Sequence, residues 1–241
     1  MNKIITICGP TGVGKTGFAI ALANQFNGEI IGADSMQIYK YMDIGTAKPD
    51  AQERATAVHH LVDFLDPKKE FDAGKYSQMA SEAISAVVSK GKLPIVAGGT
   101  GLYIRALLHG LFRENTICKN TLARLSAELD AEGGQVLYKR LQAFDPKAAE
   151  KIHPNDGFRI IRALEVFETT GVPISVRQQN HNFQQDHYNS LTLGLNMDRE
   201  QLYHRINLRV DMMLEQGLLN EVQGLVNKGY SLDLKPMQSI G

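Results

Sequence analysis

Near the start of this chain the run Gly9-Pro10-Thr11-Gly12-Val13-Gly14-Lys15-Thr16 satisfies the phosphate-loop pattern G-x-x-x-x-G-K-[ST] at every fixed position. That pattern belongs in a tight turn between a buried strand and a helix, and the flanks supply both. Lys3 to Cys8 is a short β-branched run that reads as the strand, and Gly17 to Phe26 carries apolar residues at helical spacing. In such a loop the glycines let successive backbone N–H groups turn inward around an anion, and the helix N-terminus adds partial positive charge. Lys15 adds a full charge, and the Thr16 hydroxyl can ligate Mg²⁺. The group that fits is a di- or triphosphate.

Composition bounds what surrounds the loop. The chain has 241 residues, 43% hydrophobic and 22% charged, enough for one large α/β domain carrying a smaller insertion. Its two cysteines, Cys8 and Cys118, give neither a metal-ligand spacing nor a disulfide framework, so a cytoplasmic setting is expected. Met1 leads into the first strand without a basic-then-apolar leader, and no apolar run nears the roughly 20 residues that cross a bilayer, which argues against export or membrane insertion. A formal net charge of zero argues against gripping nucleic acid by bulk electrostatics and leaves a local patch open.

Glu29 to Ala33 is expected as a second strand that delivers Asp34-Ser35-Met36-Gln37-Ile38-Tyr39 to the carboxyl edge of the sheet, where ligand sites of open α/β sheets lie. An Asp after a strand can simply cap a turn. The edge it shares with the phosphate loop is what makes Asp34 a candidate. Asp43 to Pro49 reads as a loop, with Thr46 and Lys48 open either to a ligand or to solvent. His59 and His60 are adjacent, so an extended segment turns them to opposite faces, and with no further ligand cluster a metal site is not expected. A third strand is expected over Leu61 to Leu65.

Asp72 reads as the N-cap of a helix from Ala73 to about Lys90, stopped by Gly91. Leu93 to Ala97 follows as a fourth strand and runs into Gly98-Gly99-Thr100-Gly101-Leu102-Tyr103, a second glycine-rich turn opening a helix. Thr100 there sets a hydroxyl among N–H groups where a phosphate-bearing substrate would lie.

From 113 to 186 the strand signals vanish, and helices are expected at Thr121 to Glu132, Gln135 to Phe144 and Asn155 to Thr170. Within the last, Ile160, Ile161, Leu164 and Phe167 can face a core. Arg159, Arg162 and Glu165 share another face, which an exposed salt-bridged surface would also explain. The polar stretch from Val176 to Tyr188 suggests no chemistry. Strand character returns over Ser190 to Leu195, followed by Asp198 as a cap, a helix through Arg205 and Arg209 toward Glu215, and another from Leu218 to Asn227. The tail to Gly241 carries no stop signal, so more protein is expected after it. The fold expected is α/β, a P-loop NTPase-like parallel sheet core over 1–112 and 187–241, C-terminally truncated, interrupted by a helical insertion domain at 113–186.

Six blocks in order, Gly9 to Thr16, Asp34 to Tyr39, Asp43 to Pro49, His59 to Asp63, Gly98 to Tyr103 and Arg159 to Glu165, make the chain resemble the bacterial tRNA dimethylallyltransferases, or tRNA isopentenyltransferases. The resemblance implies transfer of a dimethylallyl group from dimethylallyl diphosphate to the exocyclic amine of the adenosine 3′-adjacent to the anticodon, with release of diphosphate and with Mg²⁺. It implies a cradle from Gly9, Pro10, Thr11, Gly12, Val13, Gly14, Lys15 and Thr16, the last also a Mg²⁺ ligand. A loop that holds ATP in kinases would here hold the leaving diphosphate. Asp34 is then the expected general base, Thr100 the residue steadying the diphosphate or the bridging oxygen, and Arg205 a further diphosphate contact. Asp34, Ser35, Met36, Gln37 and Thr100, with Phe158, Arg159, Ile160, Ile161 and Arg162 in the insertion, would correspond to segments that contact the anticodon stem-loop of tRNA. A monomer is expected.

The implied chemistry is coherent. An exocyclic adenine amine is a poor nucleophile, so a carboxylate that accepts its proton as the C–N bond forms is useful, and neutralising the diphosphate eases departure of the allylic carbon. Three other readings share parts of the pattern: a small-molecule P-loop kinase, an isopentenyltransferase acting on free adenine nucleotides, and a non-catalytic RNA-binding module.

Overall fold

The computed structural model describes residues 1–110, 118–181 and 186–238. It divides into two compact units, Met1–Leu111 with Gln185–Gly241, and Phe112–Gln184.

The first unit is built on a five-stranded, wholly parallel sheet. Its strands are β1 (Lys3–Cys8), β2 (Gly28–Gly32), β3 (His59–His60), β4 (Leu93–Ala97) and β5 (Asn189–Gly194), in the spatial order β3-β2-β4-β1-β5. Side chains alternate across the pleat. Ile4, Ile31 and Val96 face one layer, where they meet Tyr76, Ile84 and Leu107 of the helices α3 (Ala73–Ser89) and α4 (Gly101–His109). Ile7, Ile30 and Ile95 face the other layer, against Ala19 and Ala23 of α1 (Lys15–Gln25). Both faces are therefore covered, which is why these strands read as continuous apolar runs. After β5 come α10 (Arg199–Glu215), capped by Asp198, and α11 (Leu218–Asn227).

The segment expected as a strand at Leu61 to Leu65 is not one. Pairing with β2 stops at His60, because Leu61 and Asp63 adopt left-handed backbone conformations with φ of 57° and 59°. Asp63 is drawn aside by a long-range ion pair: Lys48 Nζ lies 2.8 Å from its Oδ1. A short helix α2 (Ala51–Thr56) stands where none was expected, closed by a capping box in which the Asp50 carboxylate accepts from Glu53 N and the Glu53 carboxylate from Asp50 N.

The second unit is helical. Its elements are α5 (Lys119–Glu132), α6 (Gly134–Phe144), α7 (Pro146–Ala149), α8 (Gly157–Thr170) and α9 (Ile174–His181). Leu125, Leu137, Leu141, Ile160, Ile161 and Leu164 form its core. The short α7 and the polar α9 carry no apolar period long enough to announce them. The expected insertion also spans 113–117 and 182–185, which lie outside the described residues, as does the end of the tail at 239–241. No helix among the described residues is long and apolar enough to cross a membrane.

Candidate active site

The carboxyl ends of β1, β2 and β4 deliver the phosphate loop, Asp34 and the second glycine turn to one edge of the sheet. A cleft of about 920 Å³ opens there. Thr11, Gly12 and the Gly14–Gly17 start of α1 form one side, Asp34 and Gln37 line it beside them, and Arg205, Leu208, Arg209, Met212 and Met213 of α10 contribute another wall.

Gly14 precedes α1 with φ of 100° and no side-chain cap, so the first backbone N–H groups of the helix have no side-chain acceptor. That is the electrostatic setting an anion requires. Lys15 Nζ folds back to donate to Gly9 O at 3.0 Å and Pro10 O at 2.8 Å. Burial lowers its pKa, and the Asp34 carboxylate works against that effect.

Asp34 uses one oxygen locally. Its Oδ1 accepts from Met36 N at 2.9 Å and Gln37 N at 3.3 Å, an Asx turn that fixes the carboxylate's orientation. A Cβ on Gly99 would stand 3.9 Å from Asp34 Oδ2 and 3.7 Å from Lys15 Nζ, so the absence of a side chain there leaves a space bordered by a carboxylate and an ammonium. The neighbouring Gly98 is required for a different reason: a Cβ on it would fall 2.0 Å from Ala33 O, so β2 and β4 could not close at this point.

Thr100 stands one step behind the cleft wall. Its Oγ1 accepts from Ser35 N at 2.9 Å and donates to Ser35 Oγ at 3.2 Å, which ties the second glycine turn to the Asp34 segment. Of the residues expected in the cradle, Thr11, Gly12, Gly14, Lys15 and Thr16 line the cleft, together with Asp34, Gln37 and Arg205. Gly9 and Pro10 serve through the carbonyls that receive Lys15, Val13 is buried, and Ser35 is held by Thr100. Met36 gives its N–H to Asp34.

Lys48 and Thr46 line the cleft, but their polar side-chain atoms are engaged within the loop. The Lys48 ammonium is buried and donates to Tyr39 O, Asp43 Oδ1 and Asp63 Oδ1, at 2.7, 2.6 and 2.8 Å. Thr46 Oγ1 donates to Met42 O. Both side chains hold the loop together.

In the helical unit the segment 158–162 divides by face. Phe158 is 80% exposed, whereas Ile160 and Ile161 are buried in the core. Arg159 pairs with Asp156 at 2.9 Å and Arg162 with Glu165 at 2.6 Å.

Two participants escaped the sequence reading. Arg209 lies one helical turn beyond Arg205 on the same wall; burial lowers its pKa, and Asp34 offsets that. Its i,i+4 relation to Arg205 was the available signal. The other is Glu221 on α11, whose carboxylate binds the 43–45 backbone. Nothing local marked it.

The family model described as IPP transferase matches residues 37–241. The phosphate loop and Asp34 precede that span and are covered by full-length relatives. The tRNA dimethylallyltransferase of Desulfosudis oleivorans is 54% identical over 239 residues, covering 99% of this chain and 76% of that protein. That of Acetivibrio thermocellus is 50% identical, covering 100% and 77%. Among solved structures, the tRNA isopentenylpyrophosphate transferase of Bacillus halodurans superposes with a TM-score of 0.69 at 40% identity, covering 100% of this chain and 75% of that one. A eukaryotic dimethylallyltransferase acting on tRNA gives 0.75 at 34% identity, covering 99% and 59%. An uncapped phosphate loop, a carboxylate beside its lysine and a second glycine turn on one sheet edge thus occur in a chain that is similar to these enzymes over its whole length, and the chain belongs to the IPP transferase family.

Proposed function

We propose that this chain transfers a dimethylallyl group from dimethylallyl diphosphate to the exocyclic amine of the adenosine 3′-adjacent to the anticodon of a tRNA, releasing diphosphate. The observation that carries the reading is the proximity of Asp34 Oδ2 and Lys15 Nζ at Gly99, where a Cβ would stand 3.9 and 3.7 Å from them. It sets a proton acceptor beside the cation of an anion cradle.

The diphosphate lies along Gly12 to Thr16, against Lys15, Arg205 and Arg209, which stabilise charge that builds on it as the allylic C–O bond breaks. Leu208, Met212 and Met213 offer an apolar wall of the kind a five-carbon chain requires. The amine attacks the allylic carbon and Asp34 takes its proton, so the carboxylate's fixed orientation serves catalysis directly. The adenine leaves its stack to reach this edge. Phe158 and Arg159 on α8 are the exposed side chains we assign to RNA contact.

Mg²⁺ fits this donor set. Among the described residues no group of three or more His, Cys, Asp or Glu could hold a metal alone, so Thr16 together with phosphate oxygens is the coordination available, the mode in which Mg²⁺ commonly binds. When bound it neutralises diphosphate charge.

The test is incubation of the chain with tRNA and labelled dimethylallyl diphosphate, followed by nucleoside analysis. Label on the adenosine next to the anticodon is expected. Label consumed without appearing in tRNA, or appearing on free adenine nucleotides, would contradict the reading.

A further inference from the structure

The loop from Asp43 to Ala47 lines the same cleft as the phosphate loop, and a side chain from far along the chain holds it. Three successive backbone N–H groups converge on one carboxylate from a distant helix. Glu221 Oε2 accepts from Asp43 N at 2.7 Å and Ile44 N at 2.8 Å, and Oε1 accepts from Gly45 N at 3.0 Å. Convergent N–H groups of this kind make an anion-binding nest, here occupied by the protein's own side chain with charge-assisted bonds. Gly45 permits the approach, since a Cβ on it would stand 3.0 Å from Leu218 Cδ1 and 3.5 Å from Glu221 Oε1.

The hydrogen bonds continue from the nest toward the reacting edge. Ala47 N donates to Ile44 O and Lys48 N to Asp43 O, closing the loop on itself. The Gln37 side-chain amide donates to Thr46 O at 3.1 Å and Ala47 O at 3.0 Å, and Gln37 N donates to Asp34 Oδ1 at 3.3 Å. Gln37 and Asp34 line the same cleft. The path from Glu221 to the Asp34 carboxylate is thus continuous, running through the loop backbone and the Gln37 side-chain amide.

We propose that Glu221 is a positioning residue for the acceptor side of the reaction: its carboxylate fixes the 43–47 loop, and through Gln37 that loop sets the orientation of Asp34. This rests on the reading of Asp34 as the proton acceptor. The phosphate loop and Lys15 on the donor side are held by bonds that do not involve Glu221.

The effect therefore falls on chemistry and not on diphosphate binding. In Glu221→Ala the single-turnover rate of prenyl transfer to tRNA falls on the order of 10- to 100-fold, the size expected when a reacting group loses its alignment. Affinity for inorganic diphosphate, titrated calorimetrically, stays at the parent value. Amide hydrogen exchange at Asp43, Ile44 and Gly45 accelerates. Glu221→Gln keeps the volume and one carbonyl acceptor, so its rate lies between those of the parent and the Ala variant, and it carries the test if the Ala variant does not fold. A parent rate in the folded variants overturns the proposal, as does a parallel loss of rate and diphosphate affinity. A parent chain that transfers nothing to tRNA overturns the functional reading itself; a parent that transfers, matched by its variants, overturns this inference alone.

Discussion

The sheet unit's cleft and the helical unit use their basic side chains in opposite ways. In the helical unit Arg124 and Arg140 are each shared between Glu128 and Glu168, Arg159 is paired with Asp156, and Arg162 with Glu165. In the cleft Lys15 rests on two loop carbonyls, while Arg205 and Arg209 line the void and are ion-paired with no carboxylate among the described residues. Arginines neutralised by a neighbour stabilise a bundle. Cations gathered round a concavity, with Asp34 the carboxylate acting on the half-buried Lys15 and Arg209 and no ion pair closing on them, are the ones set up to meet an anionic ligand. Counting basic residues along the sequence does not separate these cases, whereas asking what each one touches does.

The difference is broken most strongly at Asp34. Asp34→Asn keeps the side chain's size and its turn hydrogen bonds but removes the basicity, so turnover should fall roughly 10²- to 10⁴-fold. Affinity for tRNA and dimethylallyl diphosphate should hardly change. A residue serving only the Asx turn behaves otherwise, because Asn makes that turn about as well. Near-normal single-turnover rates in the folded variant would return Asp34 to a turn-forming role.

Lys15→Ala comes next. It removes a partly desolvated charge from the cradle while leaving the loop backbone, so diphosphate affinity should drop by about 10- to 100-fold, the range for hydrogen bonds to charged groups. Binding of tRNA should survive. Unchanged affinity in calorimetric titration would remove Lys15 from the cradle.

How much of this was legible follows from the range of the interactions. The phosphate loop, the capped α3 and both glycine turns are specified within a few residues, and the sequence states them. The Asp50 and Glu53 capping box is equally local, yet Pro49 and the loop before it mask α2. The end of β3 was not readable at all. Leu61 to Leu65 has the composition of a strand, and contacts made only in the fold hold it out of the sheet: Asp63 with Lys48 and Arg54, and the 63–65 backbone with Gln37 and Ile38. Glu221 belongs to the same class: it acts on a segment far away in sequence, and no spacing rule reaches that far, whereas Arg209 could have been found from its i,i+4 relation to Arg205. Lys48 shows the converse, a basic residue in a family block whose charge is used internally.

A smaller effect separates a buried ion cluster from the exposed pairs of the helical unit. Glu29 is 2% exposed and accepts from Lys92, His60 and Lys90. Burial alone would raise its pKa, but those hydrogen bonds outweigh burial and hold it at about 2. Because the folded value is the lower one, the stabilisation is complete above the ordinary glutamate value of about 4.5 and is lost as pH falls toward about 2. The loss should amount to about 2 kcal/mol, allowing for solvent screening at the half-exposed Lys90. Urea melts across that window should show it, and Glu29→Gln should flatten the acid limb. An acid limb unchanged in the Gln variant would place the titration elsewhere.

The smallest effect concerns the paired arginines. If Arg159 and Arg162 meet RNA, they do so by exchanging or sharing their carboxylates, so reversing both charges should lower tRNA affinity modestly and reduce its salt slope by about one for each phosphate no longer neutralised. Diphosphate binding should stay as it was. An unchanged slope would leave both residues as stabilisers of the helical unit alone.

The proposed mechanism sets the leaving diphosphate on Gly12 to Thr16, beside the carboxylate that takes the proton. Titration with inorganic diphosphate, followed on the backbone amides of those residues and in parallel as inhibition of prenyl transfer, tests it most directly. Shifts concentrated at Gly12, Gly14, Lys15 and Thr16 are expected, with inhibition competitive with dimethylallyl diphosphate. Unmoved loop amides, or inhibition that does not compete with the donor, would contradict it.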